Sequence, residues 1–282
     1  MKNNTMSFKA IIKNIAKENK IAAQAVLQTY MLERLLEKIS MSKYKDNFIL
    51  KGGMLISAML GIDSRTTMDM DTTIKGFTLN KENIENIFNE ICKMDLEDNV
   101  TFKINKIELI REDDDYGGYR VTFEANFNHE MPVIMKMDVT TGDKITYREI
   151  KYDFRLMLED RKIQVWSYNV ETILAEKFES IIKRGTFGTR IRDYYDVHML
   201  LNTQNKNIDK STLKNAIIST AKHRDTTEDI NAWKEVVDIL AKSQTMQRQW
   251  KAYQKDNFYA KEIKYENLIE SLNKIGEIYD NT

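Results

Sequence analysis

Residues 119 to 127 alternate strictly between apolar and polar side chains. The apolar members are Tyr119, Val121, Phe123, Ala125 and Phe127. Because successive side chains of a β-strand point to opposite faces, this pattern predicts a half-buried strand. A second alternating run follows Pro132, with Val133, Met135, Met137 and Val139 on one face and Asp138 on the other. The middle of the chain is therefore expected to form a sheet.

The pattern beyond Arg161 predicts helix almost throughout. The spacing favours helices at about 170–182, 191–202, 211–223, 227–242 and 245–279, the last with a break near Asp256. Earlier segments at 7–40 and 81–94 also show helical spacing. We therefore predict an α/β (α+β) fold. Residues 1–165 should form a small mixed sheet with N-terminal and flanking helices, residues 166–282 an all-helical domain, and the active site should lie in the cleft between them.

Composition narrows the functional classes. Lysine plus arginine equals aspartate plus glutamate at 43 each, so the chain has no general affinity for polyanions and nucleic-acid binding would need a local patch. There is one cysteine, Cys92, which we interpret as a packing residue. The N-terminal sequence lacks the apolar core of a signal peptide, and no apolar run reaches membrane-spanning length. We expect a cytoplasmic protein without disulfides.

A Gly-Gly step follows a short apolar run at residues 48–50, which predicts a buried strand. Gly52 and Gly53 should end this strand, and the spacing of the next apolar residues predicts a helix that begins at Gly53. The first N–H groups of a helix have no partner within it, and glycine allows a phosphate to approach closely. An ordinary tight turn is the alternative for these two glycines.

Two aspartates, Asp69 and Asp71, follow within the next predicted strand. With a period of two, both carboxylates point to the same face, where they repel each other unless a cation lies between them. Hard oxygen ligands of this kind suit Mg²⁺. A solvated strand end is the alternative. Asp138 is unusual in mid-strand, and beside these aspartates it would complete a trio of carboxylates.

Lys177 falls within an apolar helical stripe, four residues from both Ile173 and Ile181. A buried ammonium needs an anion, although a lysine at the edge of a stripe can also extend to solvent. Arg192 and Asp196 are four apart and could simply pair along a helix. The three histidines share no ligand spacing, so no zinc site is expected, and the acidic run at 112–115 is interpreted as a solvated loop.

Taken in order, several of these motifs resemble those of the AbiEii/AbiGii toxin family of nucleotidyltransferases, within the polymerase-beta-like superfamily. The motifs are Lys51-Gly52-Gly53, Ser64-Arg65-x-Thr67-x-Asp69-x-Asp71, Lys136-Met137-Asp138-Val139, the run from Glu171 to Lys177, and Arg192-Asp193-Tyr194-Tyr195-Asp196. The resemblance extends from Leu50 to Leu201.

The resemblance implies transfer of a nucleoside monophosphate from an NTP to an acceptor hydroxyl, with release of pyrophosphate. Mg²⁺ or Mn²⁺ would be bound by Asp69, Asp71 and Asp138, with Asp138 sharing a second ion or deprotonating the acceptor. Lys177 would contact the triphosphate and count among the catalytic residues. The nucleotide-binding set would be Gly52, Gly53, Arg65, Thr67, Lys177, Arg192, Asp193 and Asp196.

The resemblance also implies a toxin of a bacterial toxin-antitoxin or abortive-infection phage-defence system, encoded with an antitoxin. Its likeliest acceptor would be tRNA. The alternatives are transfer to a small molecule such as an antibiotic, and a toxin that binds NTP without catalysis. Between Lys242 and Lys264, lysines and Arg248 interleave with aromatic residues that could stack on or contact RNA, namely Trp250, Tyr253, Phe258 and Tyr259. Aromatics at helical spacing are more often part of a core.

Overall fold

The computed structural model describes residues 4–110 and 117–281. The chain divides into two compact units. Unit 1 comprises the described residues of Met1–Asp143 together with Ile150–Ser167, and unit 2 comprises Lys144–Glu149 and the described residues from Tyr168 onward. The boundary predicted at 165/166 falls inside a strand of unit 1.

Within the described residues, the strands of unit 1 form one mixed sheet. They are β1 (Phe48–Lys51), β2 (Asp69–Ile74), β3 (Val100–Ile110), β4 (Gly118–Phe127), β5 (Met131–Thr140), β6 (Ile150–Arg155) and β7 (Lys162–Ser167). Their order is β3-β4-β5-β2-β1-β7-β6. The pairs β2–β5 and β1–β7 are parallel, and the other neighbours are antiparallel.

Helices α1 to α4 belong to unit 1, and α5 to α11 belong to unit 2. The bounds are α1 (Thr5–Asn19), α2 (Ala23–Met41), α3 (Gly52–Leu60), α4 (Lys81–Lys93), α5 (Val170–Arg184), α6 (Ile191–Thr203), α7 (Lys210–His223), α8 (Thr227–Asn231), α9 (Trp233–Lys242), α10 (Gln244–Asp256) and α11 (Tyr265–Asn281). The predicted fold class, an α/β domain followed by a helical one, is confirmed.

The apolar face of the sheet is the core of unit 1. The alternating residues Val121, Phe123 and Phe127 of β4 are fully buried. Helix α1 stacks Phe8 on Phe127 with ring centroids 4.2 Å apart, and Phe88 of α4 meets Phe123 edge-on at 5.1 Å. The opposite face of β2, β4 and β5 therefore carries the polar residues.

Three sequence predictions of secondary structure were wrong. The single helix expected at 227–242 is interrupted at Ala232, between α8 and α9. The helix expected at 7–40 is two helices, because Lys20 adopts a left-handed conformation (φ 56°) that ends α1. Residues just beyond Arg161 form β7 and not helix. Ile163 and Val165 are buried between exposed neighbours in β7, a period of two that favours a strand. The neighbouring strand β6 was not predicted either.

Candidate active site

The three predicted metal ligands lie on one face of the sheet. In the parallel pair β2–β5, Asp71 is opposite Asp138, and Asp69 is opposite Lys136. Paired residues of neighbouring strands share a face, so the three carboxylates point the same way. Met70 and Met137, one residue along, are fully buried on the other face. The alternation of the two strands thus separates core from site.

The Gly-Gly step lies directly against Asp71. Gly52 has φ +62°, and a Cβ built on it would come within 2.1 Å of Asp71 Oδ2. The backbone N–H of Gly53, in the first turn of α3, donates to the same oxygen at 3.3 Å. Only glycine tolerates both this conformation and this approach. The first turn of α3 therefore contacts Asp71, which lies 18 residues after Gly53 in the sequence.

Arg65 and Thr67 join this group from the loop between α3 and β2. A Cβ on Gly53 would lie 2.7 Å from Thr67 Oγ1 and 3.1 Å from Arg65 Nη1. Both side chains are buried. Thr67 Oγ1 donates to the carbonyl of Asp69 at 3.1 Å. Four residues of the predicted nucleotide-binding set, Gly52, Gly53, Arg65 and Thr67, are thus close together, and their binding of nucleotide stays a prediction.

The three carboxylates differ in how their charge is balanced. Both oxygens of Asp138 accept from Arg120 on the neighbouring strand, at 2.7 Å from Nε and 2.8 Å from Nη2. These hydrogen bonds raise the pKa of Arg120. Burial and then the charge of Asp71 raise the pKa of Asp69, in spite of the opposing effect of Arg120. The charges of Asp69 and Asp71 therefore remain partly uncompensated.

Sequence reasoning assigned no role to Lys51, which is opposite Asp71 in the β1–β2 pair. Its Nζ donates to Thr140 Oγ1 at 2.8 Å and to Asp143 Oδ2 at 2.7 Å. Burial would raise the pKa of Asp143, but the Lys51 ammonium and the hydrogen bonds outweigh it and lower the pKa. The position of Lys51 immediately before the Gly-Gly step was the available signal, and Asp143 had none.

In unit 2, three predicted site residues form one buried ion-pair cluster. Lys177 Nζ on α5 lies 2.5 Å from Asp193 Oδ1 and 2.9 Å from Asp196 Oδ2, both on α6. Burial would lower the pKa of Lys177, but the two carboxylates outweigh it and raise the pKa. The prediction that Lys177 reaches an anion is confirmed for these two internal carboxylates, whereas its contact with triphosphate stays a prediction.

Arg192 occupies a different environment from Asp196. The arginine is exposed, whereas Asp196 is completely buried and binds Lys177. The roles of Arg192, Asp193 and Asp196 in nucleotide binding stay predictions.

The aromatic residues of α10 are core and not a stacking surface. Trp250 and Tyr253 are 2% and 9% exposed, and both pack with Tyr195 of α6. The hypothesis that Trp250 and Tyr253 stack on RNA is therefore wrong, because other aromatic rings pack against them. Phe258 is exposed and Tyr259 is partly buried, and their contact with RNA stays a prediction. Cys92 is partly buried on α4, where burial raises the pKa of its thiol to about 11.

The acidic run at 112–115 lies outside the described residues. Across residues 4–110 and 117–281, no helix is long and apolar enough to cross a membrane.

The fold is shared with solved nucleotidyltransferases. MenT4, a nucleotidyltransferase toxin from Mycobacterium tuberculosis, is 12% identical with a TM-score of 0.54, over 96% of this chain and 98% of that chain. The protein JHP933 from Helicobacter pylori is also 12% identical, with a TM-score of 0.51 over 92% of this chain and 93% of that one. At such identities the likeness shows a common fold only. No curated protein sequence matches significantly.

The family model, together with the shared fold, assigns the chain to the nucleotidyltransferases. Residues 34–271 match the family described as "Nucleotidyl transferase AbiEii toxin, Type IV TA system". Because this match covers most of the chain, the protein belongs to the AbiEii family and is a nucleotidyltransferase toxin. An NTP substrate and a cognate antitoxin accompany membership of this family. The predicted family and enzyme class are thus confirmed.

Proposed function

We propose that the protein inhibits growth by transferring a nucleoside monophosphate from an NTP to a hydroxyl group of tRNA, in a reaction that depends on Mg²⁺ or Mn²⁺. The observation that carries this proposal is the approach of the Gly52-Gly53 helix start to Asp71. A helix N-terminus attracts phosphate, and carboxylate oxygens attract hard cations. Their contact supports a site for a metal-bound triphosphate.

A divalent cation fits Asp69 and Asp71 better than it fits all three carboxylates. The raised pKa of Asp69 reflects an unfavourable negative charge that a cation would relieve. Asp138 is already held by Arg120, and the described residues contain no group of three or more metal-binding side chains. Asp69 and Asp71 would hold the ion, which supplies charge stabilisation for the phosphoryl group. Asp138 would join them only after release from Arg120.

Binding and positioning of the triphosphate would fall to Gly52, Gly53, Arg65 and Thr67. Their proximity supports this role, because backbone N–H groups and a guanidinium both donate strong hydrogen bonds to phosphate oxygens. Lys177, Arg192, Asp193 and Asp196 are proposed to complete nucleotide binding. For Lys177 this would require exchange of a carboxylate partner for a phosphate, since two carboxylates hold it here.

The biological setting follows from the family. A type IV toxin with an antitoxin is consistent with abortive infection as a phage defence, and we propose that role here. The acceptor and the NTP are found in the cytoplasm, which is the proposed site of action. The solved relative MenT4 is named a nucleotidyltransferase toxin, and this supports a growth-inhibiting activity.

The decisive experiment supplies each α-³²P-labelled NTP with purified tRNA, ribosomal RNA or a small-molecule extract. Parallel reactions contain Mg²⁺, Mn²⁺ or EDTA. We expect label in tRNA with one preferred NTP, with either metal ion, and none with EDTA. The Asp69→Asn variant is the matched control and should incorporate no label.

Each other outcome contradicts a named part of the proposal. Label in a small product would establish the antibiotic-type alternative, and label in ribosomal RNA alone would exclude tRNA as acceptor. Incorporation that persists in EDTA would remove the metal requirement. Growth inhibition by the Asp69→Asn variant would separate toxicity from transfer.

A further inference from the structure

An aromatic side chain in unit 2 is almost fully exposed. Phe187 is 94% exposed, the largest value among the exposed large apolar side chains of the described residues. It ends a short 3₁₀ helix, Gly185–Phe187, that lies between α5 and α6. Exposure of a whole phenyl ring is costly, since its burial would contribute several times the free energy of a methylene group. A single exposed apolar side chain is common on protein surfaces, so the ring becomes informative only together with the charges around it.

Phe187 lies within a strongly basic stretch. Residues 183–192, which we term the Phe187 turn, contain four cationic residues and no acidic one. The cationic residues are Lys183, Arg184, Arg190 and Arg192. Three of them, Lys183, Arg190 and Arg192, are exposed together with the ring. In a chain with a formal net charge of zero, this is the local patch that polyanion binding requires.

The cations of the Phe187 turn are not fully balanced within the protein. Nη1 of Arg184 is buried and has no hydrogen-bond partner among the described residues. Burial and then the charge of Arg190 lower the pKa of Arg184, in spite of the opposing charges of Asp193 and Glu179, so the two guanidinium groups are within electrostatic range of each other. Like charges held together, with one donor unsatisfied, favour a bound anion.

We propose that the Phe187 turn binds the RNA acceptor, with Phe187 stacked on an unpaired base and its neighbouring cations on the phosphates. Exposed aromatics among lysines and arginines are the usual means of binding single-stranded RNA, because every base has a face to stack on. A bare duplex offers only its phosphates to such a surface. The substrate class is therefore RNA with an unpaired end, an inference that rests on the proposed transfer to tRNA.

The geometry favours RNA over an acidic protein partner. A protein interface of ordinary affinity needs a sizeable buried patch with an apolar centre, whereas this surface offers one ring surrounded by guanidinium and ammonium groups. One ring and several cations match a short RNA segment in which one base stacks on the ring and the neighbouring phosphates contact the cations. A protein partner is therefore an outcome that the test must exclude.

The test measures binding of two 5′-fluorescein RNAs by anisotropy, without NTP. One is a blunt two-strand duplex, and the other is the same duplex with a short unpaired 3′ overhang. Phe187→Ala should weaken binding of the overhang RNA by about fivefold to a hundredfold and leave the blunt duplex nearly unchanged. Arg190→Ala should weaken both RNAs and reduce the slope of log affinity against log salt by roughly 0.7 to 0.9.

Ile239→Ala is the control, because Ile239 is another exposed large apolar side chain of unit 2, at 59%. It should leave both affinities unchanged. Equal loss in Ile239→Ala, equal loss of both RNAs in Phe187→Ala, or wild-type RNA binding by Phe187→Ala would overturn the proposal. The last result would be expected of a protein-binding surface. Phe187→Ala should keep the melting temperature of the wild type, since its ring is almost fully exposed.

Binding of RNA by the Phe187 turn can be tested separately from nucleotidyl transfer to tRNA. Discrimination between the two RNAs by Phe187, without transfer to tRNA, would refute the proposed acceptor while supporting the RNA surface. If tRNA is the acceptor, Phe187→Ala should raise KM for tRNA by a similar factor and leave KM for NTP unchanged. Transfer to tRNA with an unchanged KM would refute the surface and leave the acceptor established.

Discussion

Two charge clusters, one in each unit, differ in how their charges are balanced. In unit 2, Lys177 is held between Asp193 and Asp196, so positive and negative groups meet inside the protein. In unit 1, Asp69 and Asp71 lie on one face of β2, and the nearby arginine, Arg120, is engaged by Asp138. The first cluster is internally matched. The second retains excess negative charge beside the N-terminus of a helix.

This difference separates structural from functional charge. Removal of the lysine from a matched buried cluster leaves carboxylates without compensation, which is strongly destabilising. Removal of one carboxylate from a repelling pair relieves repulsion, so the fold should tolerate it while ligand binding is lost. Neutralising substitutions should therefore reduce stability at Lys177 and activity at Asp69 or Asp71.

The largest effect is expected for Asp71→Asn. This substitution removes a charge that the proposed metal ion needs, while the amide oxygen can still accept from the N–H of Gly53. Because a metal ion contributes several kcal/mol to the transition state, transfer should fall by about 10³-fold or more. Label incorporation from α-³²P-NTP measures this loss, and thermal unfolding should show no decrease in melting temperature.

The contrast between the Lys177 cluster and the Asp69–Asp71 pair is refuted if Asp71→Asn remains active, or if it loses activity only because it unfolds. A lower melting temperature with proportionate loss of activity would assign Asp71 a structural role. Retained toxicity in cells with normal expression would exclude it as a ligand.

Lys177→Met should have the next largest effect, on stability. Methionine preserves the apolar stem, but Asp193 and Asp196 would lose their shared cation. Removal of one partner of a buried ion pair costs about 3–5 kcal/mol, so the urea midpoint should fall markedly. Lys251→Met, at an exposed position of α10, is the matched control and should leave the midpoint unchanged.

The same variant tests the proposed nucleotide contact of Lys177. If the ammonium also binds triphosphate, NTP affinity should fall about ten- to a hundredfold under conditions in which the variant is folded. Unchanged affinity with reduced stability would confine Lys177 to the matched cluster.

Sequence alone was sufficient where the signal is local. Alternation placed Asp69, Asp71 and Asp138 on the polar face opposite Met70 and Met137, as the strand registers show. The Gly-Gly step predicted the start of α3. These predictions succeed because each depends on neighbours within a few residues.

Long-range partners could not be derived from the sequence. The bond from Arg120 to Asp138 depends on the register of β4 against β5, and Lys51 reaches Asp143 from 92 residues away. The stripe showed that Lys177 needs an anion without identifying Asp193 and Asp196. The exposed ring of Phe187 was missed because composition cannot distinguish an exposed aromatic in a turn from the buried Trp250.

A smaller effect is expected for Gly52→Ala, which moves Asp71 without changing its charge. The added Cβ would meet Asp71 Oδ2 at 2.1 Å, and φ +62° is unfavourable for alanine by about 1–2 kcal/mol. Displacement of a ligand by about 1 Å can cost about 10²-fold in rate. Gly117→Ala is the matched control, since its Cβ would meet nothing within 4 Å. Full activity in Gly52→Ala would show that the contact with Asp71 has no role.

The smallest effect is expected for the melting temperature of Asp69→Asn, which tests whether Asp69 carries uncompensated charge. Its pKa is raised by burial and by Asp71, whereas an unfolded aspartate has a pKa of about 3.9. A raised folded pKa means that the carboxyl group contributes stability below about pH 4, which is lost as pH rises through the folded pKa. Asp69 is only partly buried and remains exposed to solvent, so solvent screening should limit the effect to tenths of a kcal/mol. In EDTA, Asp69→Asn should therefore match the wild type near pH 3.5 and melt slightly higher at pH 7, by about one degree or less.

Mg²⁺ should raise the melting temperature of the wild type at pH 7 and that of the variant much less, because only the ionised pair attracts the cation. Equal stabilisation of both proteins by Mg²⁺ would place the cation elsewhere, and a variant that melts lower at pH 7 in EDTA would show that the Asp69 charge is already balanced within unit 1.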